Sequence, residues 1–257
     1  MPAGRRPFKS VLIDLDDCCY RVPELPELVR ENIQKYMEDK LGVLAEEIPA
    51  MCMEMYSSHG TTMAGLVAQG YNIDYDDWHA DVHGTLPYNE LLPKDPALRK
   101  MLQSIELPKH IFTNADTRHA AICLDRMGIA DCFQAVICFE SIMAAAEASG
   151  QVKGGKPIFC KPSKAAIHLA LKQAGAVAET TLYLDDSTRN VSAAHDEGIY
   201  SVLIGRTGVA DCRADAQLES ILDLPQLLPE LFSKPAAASS NGHTQDEAQH
   251  VLLPALA

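Results

Sequence analysis

Short apolar runs that end in polar residues recur along the chain. Val11-Leu12-Ile13 leads into Asp14-Leu15-Asp16-Asp17, and His110-Ile111-Phe112 leads into Thr113-Asn114. Ala135 to Phe139 leads into Glu140, Thr181 to Leu184 into Asp185-Asp186, and Tyr200 to Ile204 into Gly205. Buried parallel strands read this way, apolar along their length and polar where they leave the sheet. Between them lie helical patterns. Asp116 to Met127 repeats apolar residues near one face and stops at Gly128, Pro162 to Ala174 opens on proline and stops at Gly175, and Ser187 to Glu197 stops at Gly198. Strand and helix in alternation predict an α/β fold with an open parallel sheet, whose ligands sit at the carboxyl ends of the strands.

Residues 20–92 break the rhythm. Glu27 to Leu41, Ile48 to Tyr56, Thr62 to Gln69 and Tyr75 to His83 all read as helical, and no strand pattern occurs among them. The expected organisation is therefore a discontinuous core of residues 8–19 and 93–232, with a helical cap of residues 20–92 inserted after the first strand. Ala144 to Gly155 reads as a loop. From Ser233 onward the composition shifts to Pro, Ala, Ser, Asn, Gly and Gln, which predicts a disordered tail over residues 233–257.

Composition narrows the function. With 47% hydrophobic and 22% charged residues the chain has ordinary globular composition. A net charge of −13 leaves no basic surplus for a phosphate backbone, which argues against a nucleic-acid polymer as partner. Thirteen acidic and four basic residues place −9 of that charge in the inserted segment. No apolar run approaches the roughly 20 residues of a membrane span, and the apolar stretch near the start is too short for a secretory signal. The eight cysteines form no C-x-x-C pair and read as reduced, buried small residues. A cytoplasmic protein is expected, with nuclear access left open and the oligomeric state unread.

Four polar clusters follow the predicted strands: Asp14 to Cys18, Phe112 to Asn114, Lys161 in C-K-P-S, and Asp185 to Asn190. Any one could be a turn or a cap; together, in this order, they describe a site. Asp14 and Asp16, two apart where a strand ends, reach one pocket. With Asp186 they make a set of hard oxygen ligands suited to Mg²⁺. Asp14 could then attack phosphorus, while Asp16 protonates the leaving oxygen and later deprotonates water. Lys161 and the Thr113 hydroxyl would hold phosphoryl oxygens. His59, Trp78, His79 and His83 lie in the insert, where core packing is the favoured role for Trp78. His119 and His195 read as structural, and no His/Cys set shows zinc-ligand spacing.

This ordered set resembles the motifs of the haloacid dehalogenase superfamily, with Cys18 in place of the usual Thr or Val of D-x-D-x-[TV]. The stretches DLDDCCY, HGTTMAGL, YDDWHADVHGTLPY, IFTNADTRHA, CFE, CKPS and LDDSTRN are similar to the pyrimidine 5′-nucleotidase-like subfamily of plants and fungi. The resemblance spans about Phe8 to Phe232. It implies a Rossmann-like core with a helical cap and Mg²⁺-dependent hydrolysis of small phosphate monoesters, pyrimidine nucleotides (UMP, CMP) first among them. It makes Asp14 nucleophile and metal ligand, and Asp16 acid/base with its backbone carbonyl on the metal. Thr113, Asn114 (through its backbone N–H) and Lys161 become phosphate binders. Asp186 becomes a metal ligand supported by Asp185, with the two able to exchange roles, and Asn190 reaches the metal through water at most. Thr61 and Thr62 are candidates for leaving-group recognition or for a helix cap, and Arg189 for anion steering or a surface ion pair. Within the same chemistry, flavin mononucleotide, a riboflavin-pathway intermediate or another sugar phosphate are alternative substrates. Outside it stand a non-catalytic scaffold and carbon–halogen hydrolysis, against which the presence of Asp14, Asp16 and the Asp185-Asp186 pair argues.

Overall fold

The first strand, β1 (Ser10–Ile13), is buried at every position. In the computed structural model, which describes residues 7–232, it is the centre from which the fold is built. It pairs on one side with β2 (Lys109–Phe112) and on the other with β4 (Thr181–Asp185). Adding β3 (Ala135–Ile137), β5 (Tyr200–Ile204) and β6 (Ala216–Leu218) gives a six-stranded, all-parallel sheet in the order β3-β2-β1-β4-β5-β6. A sheet buried on both faces needs apolar residues pointing both ways, and each short run supplies them. Val11 and Ile13 enter one core with Ile111, Leu182 and Leu184, whereas Leu12 enters the other with Phe112 and Tyr183.

Between β1 and β2 the chain forms α1 (Glu24–Asp39), α2 (Ile48–His59), α3 (Thr62–Ala68), α4 (Tyr75–Val82) and the short α5 (Tyr88–Leu91), then α6 (Pro96–Gln103). The next helices are α7 (Thr117–Met127), α8 (Phe139–Ala148), α9 (Lys164–Gln173), α10 (Thr188–Asp196) and α11 (Leu224–Leu227). Helices α6 and α7 cover the Val11 face, and α8, α9 and α10 the Leu12 face. The α/β, Rossmann-like reading therefore holds, with helices on both faces of a parallel sheet.

The inserted helices pair as α1 with α4 and α2 with α3. Their apolar side chains, including Tyr36, Met37, Met55, Leu66 and Trp78, join the Leu12 core. Trp78 is buried with its ring edge-on to Tyr36 at 4.9 Å, a packing role.

Two expectations change. The run from Ala135 to Phe139 is not all strand: β3 ends at Ile137, and Phe139 opens α8, because Cys138 and Ser141 cap a helix there. The segment read as a loop from Ala144 is helical as far as Ala148, since its alanines favour helix once α8 has begun. Helices α5 and α6 and strand β6 were not expected; the first and last are only 4 and 3 residues long, too short for periodicity to register. The proposed tail lies outside the described residues. Among the described residues no helix is long and apolar enough to cross a membrane, and all eight cysteines are free.

Candidate active site

At the end of β1 the backbone N–H of Asp14 donates to the Leu184 carbonyl at 2.8 Å, so the sheet itself fixes this residue. The chain then turns sharply. Asp17 takes a left-handed φ of 55°, which aspartate tolerates better than most residues, and Cys19 N–H closes the turn on the Leu15 carbonyl at 2.9 Å. The turn sends Asp14 and Asp16 to two adjoining parts of one site.

Asp14 faces Lys161, whose side chain is only 2% exposed. The ammonium reaches Asp14 Oδ1 at 2.6 Å and Asp185 Oδ2 at 2.8 Å, and donates to the Phe112 carbonyl at 2.7 Å. Its three donors are thereby used, which is how a buried lysine stays charged. Burial alone would lower its pKa; Asp14 and Asp185 more than reverse that and raise it. Lys161 is aimed by Asn114, whose side chain accepts from the Lys161 N–H at 2.8 Å and donates to the Lys161 carbonyl at 3.1 Å. The Asn114 side chain thus positions the lysine.

Asp185, fully buried, also accepts from Tyr183 Oη, from Ser187 N–H at 2.8 Å and from Asn190 Nδ2 at 3.0 Å. Its acceptor sites are taken. Asp186 is only half-buried, and burial together with Asp185 pushes its pKa up to about 7. Burial likewise raises Asp14 against the pull of Lys161, with Asp185 adding to the rise. Oxygens of Asp14, Asp185 and Asp186 lie within 4.8 Å of one another. Three carboxylates against one ammonium leave an uncompensated negative charge, and a divalent cation fits this all-oxygen donor set.

The Asp16 side chain, 39% exposed, lies outside that cluster. Its Oδ1 meets His119 Nε2 at 2.7 Å and accepts from Tyr20 Oη, while Oδ2 lies 3.4 Å from the Thr113 hydroxyl. Burial would raise Asp16, but the His119 imidazole and then Tyr20 more than offset it and hold it below the ordinary carboxylate range. Burial would lower His119; Asp16 reverses this and raises it well above the usual imidazole value. The pair holds a proton beside the acid/base candidate. His119, read from the sequence as structural, is buried and in addition meets Asp16 directly. It sits three residues after the Asp116 cap of α7, an ordinary helical position that carries no mark of this contact in the sequence.

The inserted helices touch the site at the α2–α3 turn. Gly60 has φ +93°, and a Cβ there would press into the Lys161 carbonyl oxygen and come within 3.0 Å of Cys160 Sγ. Cys160 Sγ donates to the His59 carbonyl at 3.3 Å. The Thr61 hydroxyl caps α3 by accepting from Ala64 N–H at 3.1 Å, and Thr62 is buried. Arg189 makes no ion pair among the described residues. Its guanidinium lies 5.1 Å from the Tyr56 ring centre and donates to the Tyr56 carbonyl at 2.8 Å.

The parallel sheet with carboxylates and a buried lysine at the ends of its central strands defines a Rossmann-like hydrolase. The chain belongs to the haloacid dehalogenase-like hydrolases, whose family profile matches residues 8–198. It is 23% identical over 204 residues to phosphate metabolism protein 8 of Saccharomyces cerevisiae, covering 76% of this chain and 61% of that protein. The match thus spans about three-fifths of the relative's length. Among solved structures, a haloacid dehalogenase-family phosphatase of Thermococcus onnurineus superposes with a TM-score of 0.55 at 17% identity, covering 86% of this chain and 98% of that one. The L-2-haloacid dehalogenase of Xanthobacter autotrophicus superposes with a TM-score of 0.54 at 14% identity over the same shares. Both likenesses are of fold, and the fold hosts both chemistries.

Proposed function

We propose that the protein is a Mg²⁺-dependent phosphomonoesterase working through an aspartyl-phosphate on Asp14. One observation carries the reading: Asp14 is pinned by Lys161 while Asp16, two residues on, is paired with His119 and faces Thr113. A nucleophile and a proton-handling carboxylate thus meet in one pocket.

With Oδ1 held by Lys161, the other Asp14 oxygen attacks phosphorus and the ester P–O bond breaks. The proton held between Asp16 and His119 passes to the departing oxygen. Asp16 then takes a proton from water, which attacks the phosphorus of the aspartyl-phosphate and frees Asp14 and inorganic phosphate. Lys161 and Thr113 stabilise the phosphoryl oxygens, joined by the Asn114 backbone N–H. Asp14, Asp186 and the Asp16 backbone carbonyl would hold Mg²⁺, with Asp185 supporting because its own oxygens are occupied, and Asn190 holding Asp185. The cation supplies charge neutralisation for the incoming phosphate.

The substrate class we favour is a nucleoside 5′-monophosphate, UMP or CMP, on the motif resemblance; the yeast relative, named for phosphate metabolism, agrees with phosphate chemistry. Residues 20–92 act as the cap that selects the leaving group, with Thr61 as the helix cap that shapes the turn over Lys161. A phosphate-release screen over nucleotide, flavin and sugar monophosphates, with Mg²⁺ and with EDTA, tests this. Turnover of UMP and CMP that EDTA abolishes is expected. Release from an aryl phosphate alone would overturn the substrate, and chelator-insensitive turnover would overturn the metal.

A further inference from the structure

A cavity of about 140 Å³ lies between α4 and the first turn of α7 and is lined in part by His119, the partner of Asp16. His79 on α4 and His83 at its C-cap are four residues apart, so they share one helix face. Opposite them stands Asp116, the N-cap of α7, whose Oδ1 accepts from His119 N–H at 2.9 Å. Asp116 Oδ2 lies 2.5 Å from His83 Nδ1 and 3.4 Å from His79 Nδ1. Ligand-capable atoms of the three residues all fall within 4.8 Å of one another.

His79 is the anomaly. Its side chain is nine-tenths buried, both ring nitrogens are sealed from water, and neither has a hydrogen-bond partner. The ring is fixed in place by an edge contact with Phe139 at 4.9 Å and by stacking on His83 at 5.7 Å. The His83–Asp116 bond and the helix cap account for two members of the cluster as a latch between α4 and α7. They leave the buried imidazole of His79 with a 3.4 Å approach to Asp116 and no hydrogen bond, where buried polar groups ordinarily find partners.

We propose that His79, His83 and Asp116 form a site for a divalent transition metal of the zinc class, distinct from the acidic cluster at Asp14. Two imidazole nitrogens and one carboxylate oxygen are a donor set for such an ion, with a fourth position open to water. Tetrahedral ligands about 2.0–2.1 Å from zinc lie roughly 3.3–3.4 Å apart, the separation His79 and Asp116 already have. The His83 hydrogen bond must open by slightly less than ~1 Å to match it. Burial lowers the His79 pKa, which keeps the ring in its neutral, ligating form. Mg²⁺, which prefers oxygen, has no reason to choose this site. A bound ion would tie α4 to the helix that carries His119, the partner of Asp16.

The test is a Co²⁺ titration of the metal-stripped full chain in excess Mg²⁺, followed by visible ligand-field absorption, with Zn²⁺ as competitor. One Co²⁺ per chain, with the intense bands of low coordination number and displacement by Zn²⁺, is expected. His79→Ala should weaken binding by more than roughly tenfold, and its melting without metal reads separately the packing lost against Phe139 and His83. His83→Gln should weaken binding too, and serves if His79→Ala misfolds. Asp14→Asn should bind Co²⁺ unchanged. Absence of Co²⁺ binding by the wild type, unaltered binding by the folded His variants, or loss of binding in Asp14→Asn would overturn the proposal.

Discussion

Asp14 and Asp16 lie two residues apart yet have opposite electrostatic settings, one crowded by carboxylates and the other paired with an imidazole. Replacing Asp14 by Asn removes the proposed nucleophile but keeps the shape, so turnover should fall by roughly 10³-fold or more with an unchanged circular dichroism spectrum. His119→Asn should lower kcat by about 10–100-fold on alkyl phosphates such as nucleotides, and much less on p-nitrophenyl phosphate, whose leaving group needs no proton. Steady-state kinetics on both substrates checks this split. Asp186 provides a pH test. Its folded pKa of about 7 is above the ordinary carboxylate value, so it favours the fold when protonated and loses that contribution as pH rises through the window from about 4 to about 7. The chelated protein should therefore lose melting temperature across that window, Mg²⁺ should restore more at pH 8 than at pH 5, and Asp186→Asn should flatten the difference. The carboxylates, Thr113 and Lys161 were legible as residues because each follows a strand or opens a helix in a fixed order. His119 was not. A histidine on an amphipathic helix carries no mark of what it faces, and only the packing of α7 against the β1 turn aims it at Asp16.

At the level of elements, the α2–α3 turn is where the inserted helices meet the chemistry. Gly60 permits that approach both by its left-handed φ and by its lack of a Cβ. Gly60→Ala should cost about 1–3 kcal/mol from the backbone conformation alone. It should also lower turnover by displacing the Lys161 backbone, read by thermal melting and kcat together. The long elements were legible because their caps and stops are explicit: Asp116 before α7, Gly128 after it, Gly175 after α9. The misread segment around Cys138 shows the limit. A β-branched run followed by Phe139 looks like continued strand, and it becomes helix because Ser141 caps the backbone at Cys138. Nor did the four-residue spacing of His79 and His83 register as ligand spacing, since its third member, Asp116, comes from a helix 33 residues away in sequence from His83.

Across the whole molecule the charge of −13 is uneven, with the inserted helices the most acidic part. A dianionic phosphate ester approaching that face is repelled, and salt screens the repulsion over about 10 Å at 0.1 M. Raising KCl at saturating Mg²⁺ should therefore increase kcat/KM for nucleotide substrates; a steady decrease would point instead to steering by a local positive field. The parallel sheet converts sequence order into spatial convergence: β1, β2 and β4 are neighbours, so residues 171 positions apart, Asp14 and Asp185, share one lysine. The sequence pattern foretold that convergence through the strand ends, whereas the partners of each carboxylate required the folded chain. The most direct measurement is borohydride trapping of the acyl phosphate during turnover of UMP, read by peptide mass spectrometry. Reduction of Asp14 to homoserine, absent in Asp14→Asn and absent without substrate, is the predicted result. Turnover with no trapped acyl phosphate, or with the label on another residue, would contradict the account.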